Sequence, residues 1–81
     1  MNKDNVKAAY SNGLYIFKLY TALAEKGISI NRFMRDTETD FSTFRRYANG
    51  SVQRVDLGVL DRWCDYLNCQ FSDIIEYVRN D

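Results

Sequence analysis

The stretch that most constrains this chain is residues 40–50, DFSTFRRYANG, which has the start, the stop and the two faces of a short helix. The Asp40 carboxylate can accept a backbone N–H that is left free at a helix start. Asn49-Gly50 can end the helix, because glycine adopts the left-handed conformation without a Cβ clash. At about 100° per residue, the apolar side chains fall on one side of this helix. They are Phe44, Tyr47 and Ala48.

The other side of the same helix is polar. Ser42 and Arg46 lie opposite the apolar side, and Arg45 and Asn49 flank them. Hydroxyl, guanidinium and amide groups are the groups that bind base edges and phosphates in DNA. From this stretch alone, two interpretations stay open: a DNA-reading helix, and an ordinary surface helix whose arginines are solvated.

The rest of the chain predicts further short helices. A chain of 81 residues forms one small domain, and the lack of proline suits helices joined by short turns. Residues 1–13 are polar and predict an N-terminal arm or a short extra helix. Apolar spacing and capping residues predict helices over residues 14–26, 30–37, 40–49 and 57–68, and a final short helix from Ser72 or Asp73 that buries Ile74, Ile75 and Val78. The predicted fold is therefore all-α, a compact five-helix domain.

The charge distribution points to a local cationic surface. The formal net charge is zero, which argues against a protein that coats nucleic acid generally. Residues 41–54 carry three arginines and no acid, whereas residues 55–81 carry two arginines and six acids. Positive charge is thus concentrated on the polar helix and the segment after it.

Several chemistries lack the residues they need. The chain has no histidine, which excludes histidine-based nucleophilic triads. It has no glycine-rich phosphate loop and no metal-ligand cluster, and Cys64 and Cys69 lack CxxC spacing. We therefore expect no catalytic residues, no metal and no cofactor. No apolar run is long enough to span a membrane and no signal peptide is evident, so we expect a cytoplasmic protein.

Two segments carry a family resemblance: LAEKGISINRF and STFRRYANGSVQRVDLGVLDRWCDYLNCQFSDIIEYV. Over about residues 18–78 the chain resembles the Cro-like phage-repressor (XRE) helix-turn-helix family. With the start of the first predicted helix included, the resemblance implies one DNA-binding domain over residues 14–78. The resemblance implies a five-helix domain with its third helix in the major groove, often as a homodimer on a two-fold operator. By position it implies base-facing roles for Phe41, Ser42 and Arg46, and phosphate contacts for Asn49, Ser51 and Arg54. Arg45, beside Arg46, is assigned to phosphate as well.

The sequence departs from the family pattern around the turn. Glu38 stands where the family prefers glycine, and a left-handed backbone there would be mildly costly. Met34 replaces a small alanine, and Thr39 stands where a buried aliphatic residue is common. The acids Asp36, Glu38 and Asp40 lie close to the expected interface and would repel phosphate.

These observations predict a sequence-specific DNA-binding transcriptional regulator, with repression as the expected outcome. Arg46 can donate two hydrogen bonds to guanine O6 and N7, a contact worth roughly 1–3 kcal/mol of discrimination. The alternative is a protein–protein interaction module on the same scaffold, such as an antitoxin-like or phage counter-defence protein. The expected partners are double-stranded DNA, a second copy of the chain and, in the alternative, another protein.

Overall fold

The computed structural model describes residues 5–81, and this part of the chain forms four α-helices and a three-stranded antiparallel sheet. Residues 1–4 of the predicted arm lie outside the described residues. The elements in chain order are β1 (Val6–Tyr10), β2 (Gly13–Phe17), α1 (Leu19–Lys26), α2 (Ile30–Asp36), α3 (Phe41–Ala48), α4 (Leu57–Leu67), a 3-10 turn (Phe71–Asp73) and β3 (Ile75–Arg79). The prediction of an all-α, five-helix domain is therefore wrong.

The sheet brings the two ends of the chain together. Its strand order is β1-β2-β3, and both neighbouring pairs are antiparallel. Val6 lies opposite Phe17, and Phe17 lies opposite Ile75, so these three side chains share one face of the sheet. Phe17 and Ile75 are buried in the core and Val6 packs against it. The sheet therefore covers one side of the helical core.

The predicted helix over residues 14–26 is wrong in its first part, because residues 13–17 form β2 and α1 begins only at Leu19. The aromatic and β-branched side chains of residues 15–17 fit a pleated sheet, and β1 and β3 pair with the backbone of β2 on both sides. Ile16 matches the helical spacing of Leu19 and Leu23 over a stretch too short to separate the two periods. Leu19 and Leu23 are buried in α1.

The predicted final helix is wrong for the same reason. After a single 3-10 turn, residues 75–79 pair with β2 as β3. Ile74 and Ile75 are buried as predicted, but the side chain of Val78 is 42% exposed on the other face of the sheet. Residues 6–10, which suggested an arm or a short helix, form the outer strand β1.

The helices from α2 to α4 begin where their capping residues predict. The side chains of Ser29, Asp40 and Asp56 accept hydrogen bonds from backbone N–H groups in the first turns of α2, α3 and α4. Each cap satisfies a donor that the helix leaves unpaired. Leu57 is 74% exposed at the first position of α4, and Val59 is buried.

An aromatic cluster forms the centre of the core between α2, α3 and α4. The indole of Trp63 in α4 lies 5.4 Å from the ring of Phe33 in α2 and 4.9 Å from that of Tyr47 in α3, measured between ring centroids. Phe44 packs against Phe33 at 6.1 Å. Edge-to-face and tilted pairs of this kind contribute beyond the area they bury. The cluster fixes the position of α3 relative to α2.

Candidate nucleic-acid interface

The connection between α2 and α3 is a four-residue turn with one residue in the left-handed conformation. Glu38 has φ = 53°, so the backbone conformation that favours glycine is adopted by a glutamate. Thr39 N–H donates to the Met34 carbonyl at 2.9 Å, and the Thr37 hydroxyl donates to the Phe33 carbonyl at 2.6 Å. These bonds hold the turn against the end of α2 and compensate the backbone strain at Glu38.

Helix α3 has the two faces that the sequence predicts. Phe44, Tyr47 and Ala48 are buried, which leaves the opposite side in solvent. Phe41 is 62% exposed, so it does not serve as a packed core aromatic. All seven residues assigned to DNA contact are exposed: Phe41, Ser42, Arg45, Arg46, Asn49, Ser51 and Arg54. The structure thus places all seven in solvent on α3 and the segment after it, while their contacts to DNA stay predictions.

The end of α3 is tied closely to the loop that follows it. Gly50 has φ = 76° and turns the chain away from the helix. The side-chain oxygen of Asn49 accepts bonds from the Ser51 backbone N–H at 3.0 Å and the Ser51 hydroxyl at 2.7 Å. The Arg46 carbonyl accepts the N–H groups of Ser51 and Val52 at 3.0 and 3.2 Å. Asn49 and Ser51 therefore form one bonded unit directly beside the polar face of α3.

The far end of this loop is held as well. The Tyr47 hydroxyl accepts a 2.9 Å hydrogen bond from the backbone N–H of Asp56, which is the residue that caps α4. Val52 is buried between the two ends. Arg54 thus projects from a segment fastened at both ends to α3, an arrangement that limits how far its guanidinium can move from the helix.

The cations near α3 differ from those on α2. Within residues 5–81, the three arginines of residues 41–54 form no ion pair within 4.0 Å. By contrast, Arg32 and Arg35 face the Asp36 carboxylate at 3.5 and 3.4 Å. The arginines on and after α3 are therefore free to bind an external anion without first breaking an ion pair.

Two of the three acids near the interface have partners within the chain. Asp36 accepts a 2.6 Å hydrogen bond from the Tyr66 hydroxyl, which lowers the pKa of the carboxyl. The side chain and backbone N–H of Thr43 both bond to Asp40 and lower its pKa, and the charge of Arg46 acts in the same direction. Glu38 is exposed. Within residues 5–81, Asp36 alone of the three forms ion pairs, so the repulsion of phosphate expected from these acids rests mainly on Glu38 and Asp40.

Sequence reasoning missed Gln53 as a candidate contact. Its side chain is exposed between buried Val52 and exposed Arg54, on the loop whose two ends are bonded to the last turn of α3. A signal was available, since an amide beside an arginine on such a loop suits a phosphate or base edge. Val55, on the same loop, is exposed as well.

The described residues offer little for other chemistry. No group of three or more His, Cys, Asp or Glu residues within residues 5–81 could hold a metal ion. Cys64 and Cys69 are free, and burial raises the pKa of the Cys69 thiol to about 11, which keeps it protonated near neutral pH. In the same range of residues, no helix is sufficiently long and apolar to cross a membrane.

Comparison with known proteins gives two matches. A family model described as the Cro/C1-type HTH DNA-binding domain matches residues 18–80. The crystal structure of the transcriptional regulator VanUg, form II, superposes with a TM-score of 0.67 at 28% sequence identity, covering 90% of this chain and 96% of that chain. A search of curated proteins found no match.

Proposed function

The chain belongs to the family of Cro/C1-type helix-turn-helix DNA-binding domains, and from this we propose that it is a sequence-specific transcriptional regulator that inserts α3 into the DNA major groove. The resemblance to Cro-like repressors, expected from the sequence, is thereby confirmed. The observation that carries the proposal is the exposed polar face of α3, where Arg46 lies opposite buried Phe44 and Tyr47 and Arg45 flanks it. Neither arginine forms an ion pair within the described chain.

Base reading is proposed for the side chains at the start and middle of α3. Arg46 can reach guanine O6 and N7 with two parallel donors, and Ser42 can donate to or accept from either base of a pair. Phe41 offers an exposed apolar ring to a thymine methyl group. Ser42 and Arg46 lie on the side of α3 away from the core, and Phe41 is exposed at its first position, which supports this assignment.

Phosphate contact is proposed for Arg45, Asn49, Ser51 and Arg54, with Gln53 added. Arg45 flanks the reading face, and the others lie on the restrained loop after α3. A restrained loop loses little conformational entropy when its side chains bind, so the contacts can position α3 in register. Within the Asn49–Ser51 unit, the amide N–H groups stay available to an anion because only the amide oxygen accepts from Ser51.

We further propose that the protein acts in the cytoplasm as a homodimeric repressor on a two-fold operator. The dimer follows from the family resemblance, since a symmetric protein pairs naturally with a symmetric site. The sheet supports it, because β1 and β3 are both edge strands whose outer backbone groups have no partner strand within residues 5–81. Measuring the molecular mass of the free protein and of its DNA complex tests the homodimer directly.

Selection of bound sites from a random duplex library tests the function. We expect an enriched sequence, with two symmetric half-sites if the protein binds as a dimer. Affinity for the enriched site should fall steeply as the salt concentration rises, because phosphate contacts release counterions. Lys26→Ala removes one positive charge in the last turn of α1, outside the cationic segment of residues 41–54. It is the control for arginine-to-alanine variants within that segment and should bind DNA like the wild type.

No enrichment, together with no binding to any duplex at low salt, would contradict the proposal. The fold would then serve as a protein-interaction module, which is the alternative that the sequence left open.

A further inference from the structure

A groove with a volume of about 550 Å³ opens between the sheet and the loop that follows α3. The sheet contributes side chains from all three strands, and the loop contributes Val52, Gln53 and Val55. The described chain exposes nine large apolar side chains, and five of them line this groove. They are Tyr10, Tyr15, Val55, Phe71 and Tyr77. Apolar exposure concentrated in one concave place marks a binding surface more than scattered exposure does.

The aromatic side of the groove is already ordered. The rings of Tyr10 and Tyr15 meet edge to face at 5.6 Å, and those of Tyr15 and Tyr77 lie 5.0 Å apart. A Cβ on Gly13 would lie 2.7 Å from the Tyr77 hydroxyl oxygen, so the absence of a side chain there lets the Tyr77 ring lie across β2. A glycine within a strand commonly marks such a close approach. The row of three tyrosines is therefore preformed.

The lining decides the chemistry of an occupant. None of the lining side chains carries a formal charge. The polar groups are the tyrosine hydroxyls with Ser11, Asn12 and Gln53. A charged ligand would lose hydration without meeting an opposite charge, whereas an uncharged ring can stack on tyrosine and bond to a hydroxyl or amide. A groove of this volume, mostly apolar with a few polar groups, has the size and character of a small-molecule site.

We propose that this groove binds an uncharged, planar aromatic small molecule and that its occupancy changes affinity for DNA. The second half rests on the proposed function, and the first half does not. The link between the sites is the loop, because Val52, Gln53 and Val55 form one wall of the groove and Arg54 lies among them. A ligand that shifts this wall shifts Arg54, and the two binding equilibria are then coupled reciprocally.

The test uses indole as the probe and the ¹⁵N-labelled full chain. Indole should shift amide signals around the groove, in residues 10–17, 52–55 and 71–77, and leave those of α2 in place. Cyclohexanol, which is uncharged but not aromatic, and indole-3-acetate, which is aromatic but anionic, should each bind at least tenfold more weakly. Equal binding of either analogue would overturn the proposed ligand class, and no localised shift with indole would overturn the site.

Val55→Trp should fill the groove and weaken indole binding at least tenfold. Leu57→Trp is the matched control, because Leu57 is exposed and does not line the groove. If Val55→Trp loses the dispersed spectrum of the folded chain, Tyr77→Leu replaces it, with Val78→Leu on the opposite face of β3 as its control. Wild-type affinity in the groove variant would contradict the site. So would signals of the loop residues Val52, Gln53 and Val55 that move with protein concentration alone, since a second copy would then occupy the groove.

The coupling has a separate readout. Saturating indole should change the dissociation constant for the selected duplex at least threefold in the wild type and leave it unchanged in Val55→Trp. Indole binding without this change would remove the coupling and leave the site. A wild type that binds no DNA would contradict the proposed function and the coupling together, while the amide shifts would still decide whether the groove takes the ligand.

Discussion

The indole N–H of Trp63 donates a 2.9 Å hydrogen bond to the hydroxyl oxygen of Thr39, which joins the middle of α4 to the turn before α3. Both residues are buried. The Thr37 hydroxyl donates to the Phe33 carbonyl, so the 2.8 Å bond between the two threonine hydroxyls must be donated by Thr39. The result is a single directed series of bonds from α4 through the turn to α2. A threonine at the position where a buried aliphatic is common thus has a specific partner.

Thr39→Val should destabilise the fold by about 1–3 kcal/mol. The valine keeps the volume but leaves the Trp63 N–H without an acceptor in the core, and an unsatisfied buried donor costs about that much. Chemical denaturation measures the free energy of unfolding. Thr21→Val, which removes a hydroxyl bonded to Asn5 at an exposed position, is the control and should cost less than about 0.5 kcal/mol. Equal losses in the two variants would show that the Trp63 bond contributes nothing particular.

Gly50→Ala should cost more stability than Gly27→Ala. Both glycines have positive φ, 76° and 67°, so an alanine is strained at either position by about 1 kcal/mol. At Gly50 the new Cβ would also lie 3.2 Å from Phe17 and from Val6, whereas nothing lies within 4 Å of a Cβ at Gly27. The difference between the two melting curves therefore measures contact between the end of α3 and the β1–β2 hairpin. Equal destabilisation would contradict that contact.

Glu38→Gly should stabilise the fold by up to about 1 kcal/mol, because glycine adopts φ = 53° without strain and the gain is partly offset by unfolded-state entropy. Glu38→Gln keeps the strain and removes only the charge. Both variants should bind random duplex DNA more tightly at low salt, since they remove one exposed negative charge at the turn. If Glu38→Gln stabilised the fold as much as Glu38→Gly, the gain would come from the lost charge and not from relief of backbone strain.

The helices from α2 to α4 could be predicted because their determinants are local. A capping side chain such as Asp40 acts on N–H groups two or three positions away, and the spacing of Phe44, Tyr47 and Ala48 repeats within two turns. The same locality explains why the exposed face of α3 was predicted correctly. When Phe44, Tyr47 and Ala48 are buried, the side chains on the opposite face of the helix are exposed to solvent.

The sheet could not be predicted in this way, because its pairs join distant parts of the chain. Tyr15 lies opposite Tyr77, and the sequence around either residue does not indicate that the two are paired. In such short apolar runs a helical and an alternating pattern coincide, and the strand partners decide between them. The groove was missed for the same reason, since its walls come from both ends of the chain and from the loop after α3. The bond between Tyr47 and Asp56 that restrains this loop is equally invisible in the sequence.

Asp40→Asn should make the fold less sensitive to acid. Bonds from Thr43 lower the pKa of Asp40 below its ordinary value of 3.8, so the carboxylate contributes stability above that value and loses it as the pH falls through the lowered pKa. Asparagine also caps helices well but does not titrate. Thermal unfolding followed by circular dichroism between about pH 7 and pH 2 should give similar melting temperatures near neutrality and a smaller acid loss in the variant. Parallel curves would contradict this role for Asp40.

Arg46→Ala and Arg54→Ala should separate base reading from phosphate contact. Arg46 lies on the exposed face of α3, opposite the buried side chains of Phe44 and Tyr47, so it should project deepest into the DNA major groove. Its loss should reduce affinity for the selected site by roughly 1–3 kcal/mol and change affinity for random duplex much less.

Arg54 lies on the restrained loop and should meet the DNA backbone. Its loss should weaken both kinds of binding about equally and lower the salt slope by about one unit. Fluorescence anisotropy at several salt concentrations in one buffer measures all four affinities, and equal losses on selected and random DNA for both variants would remove Arg46 from base reading.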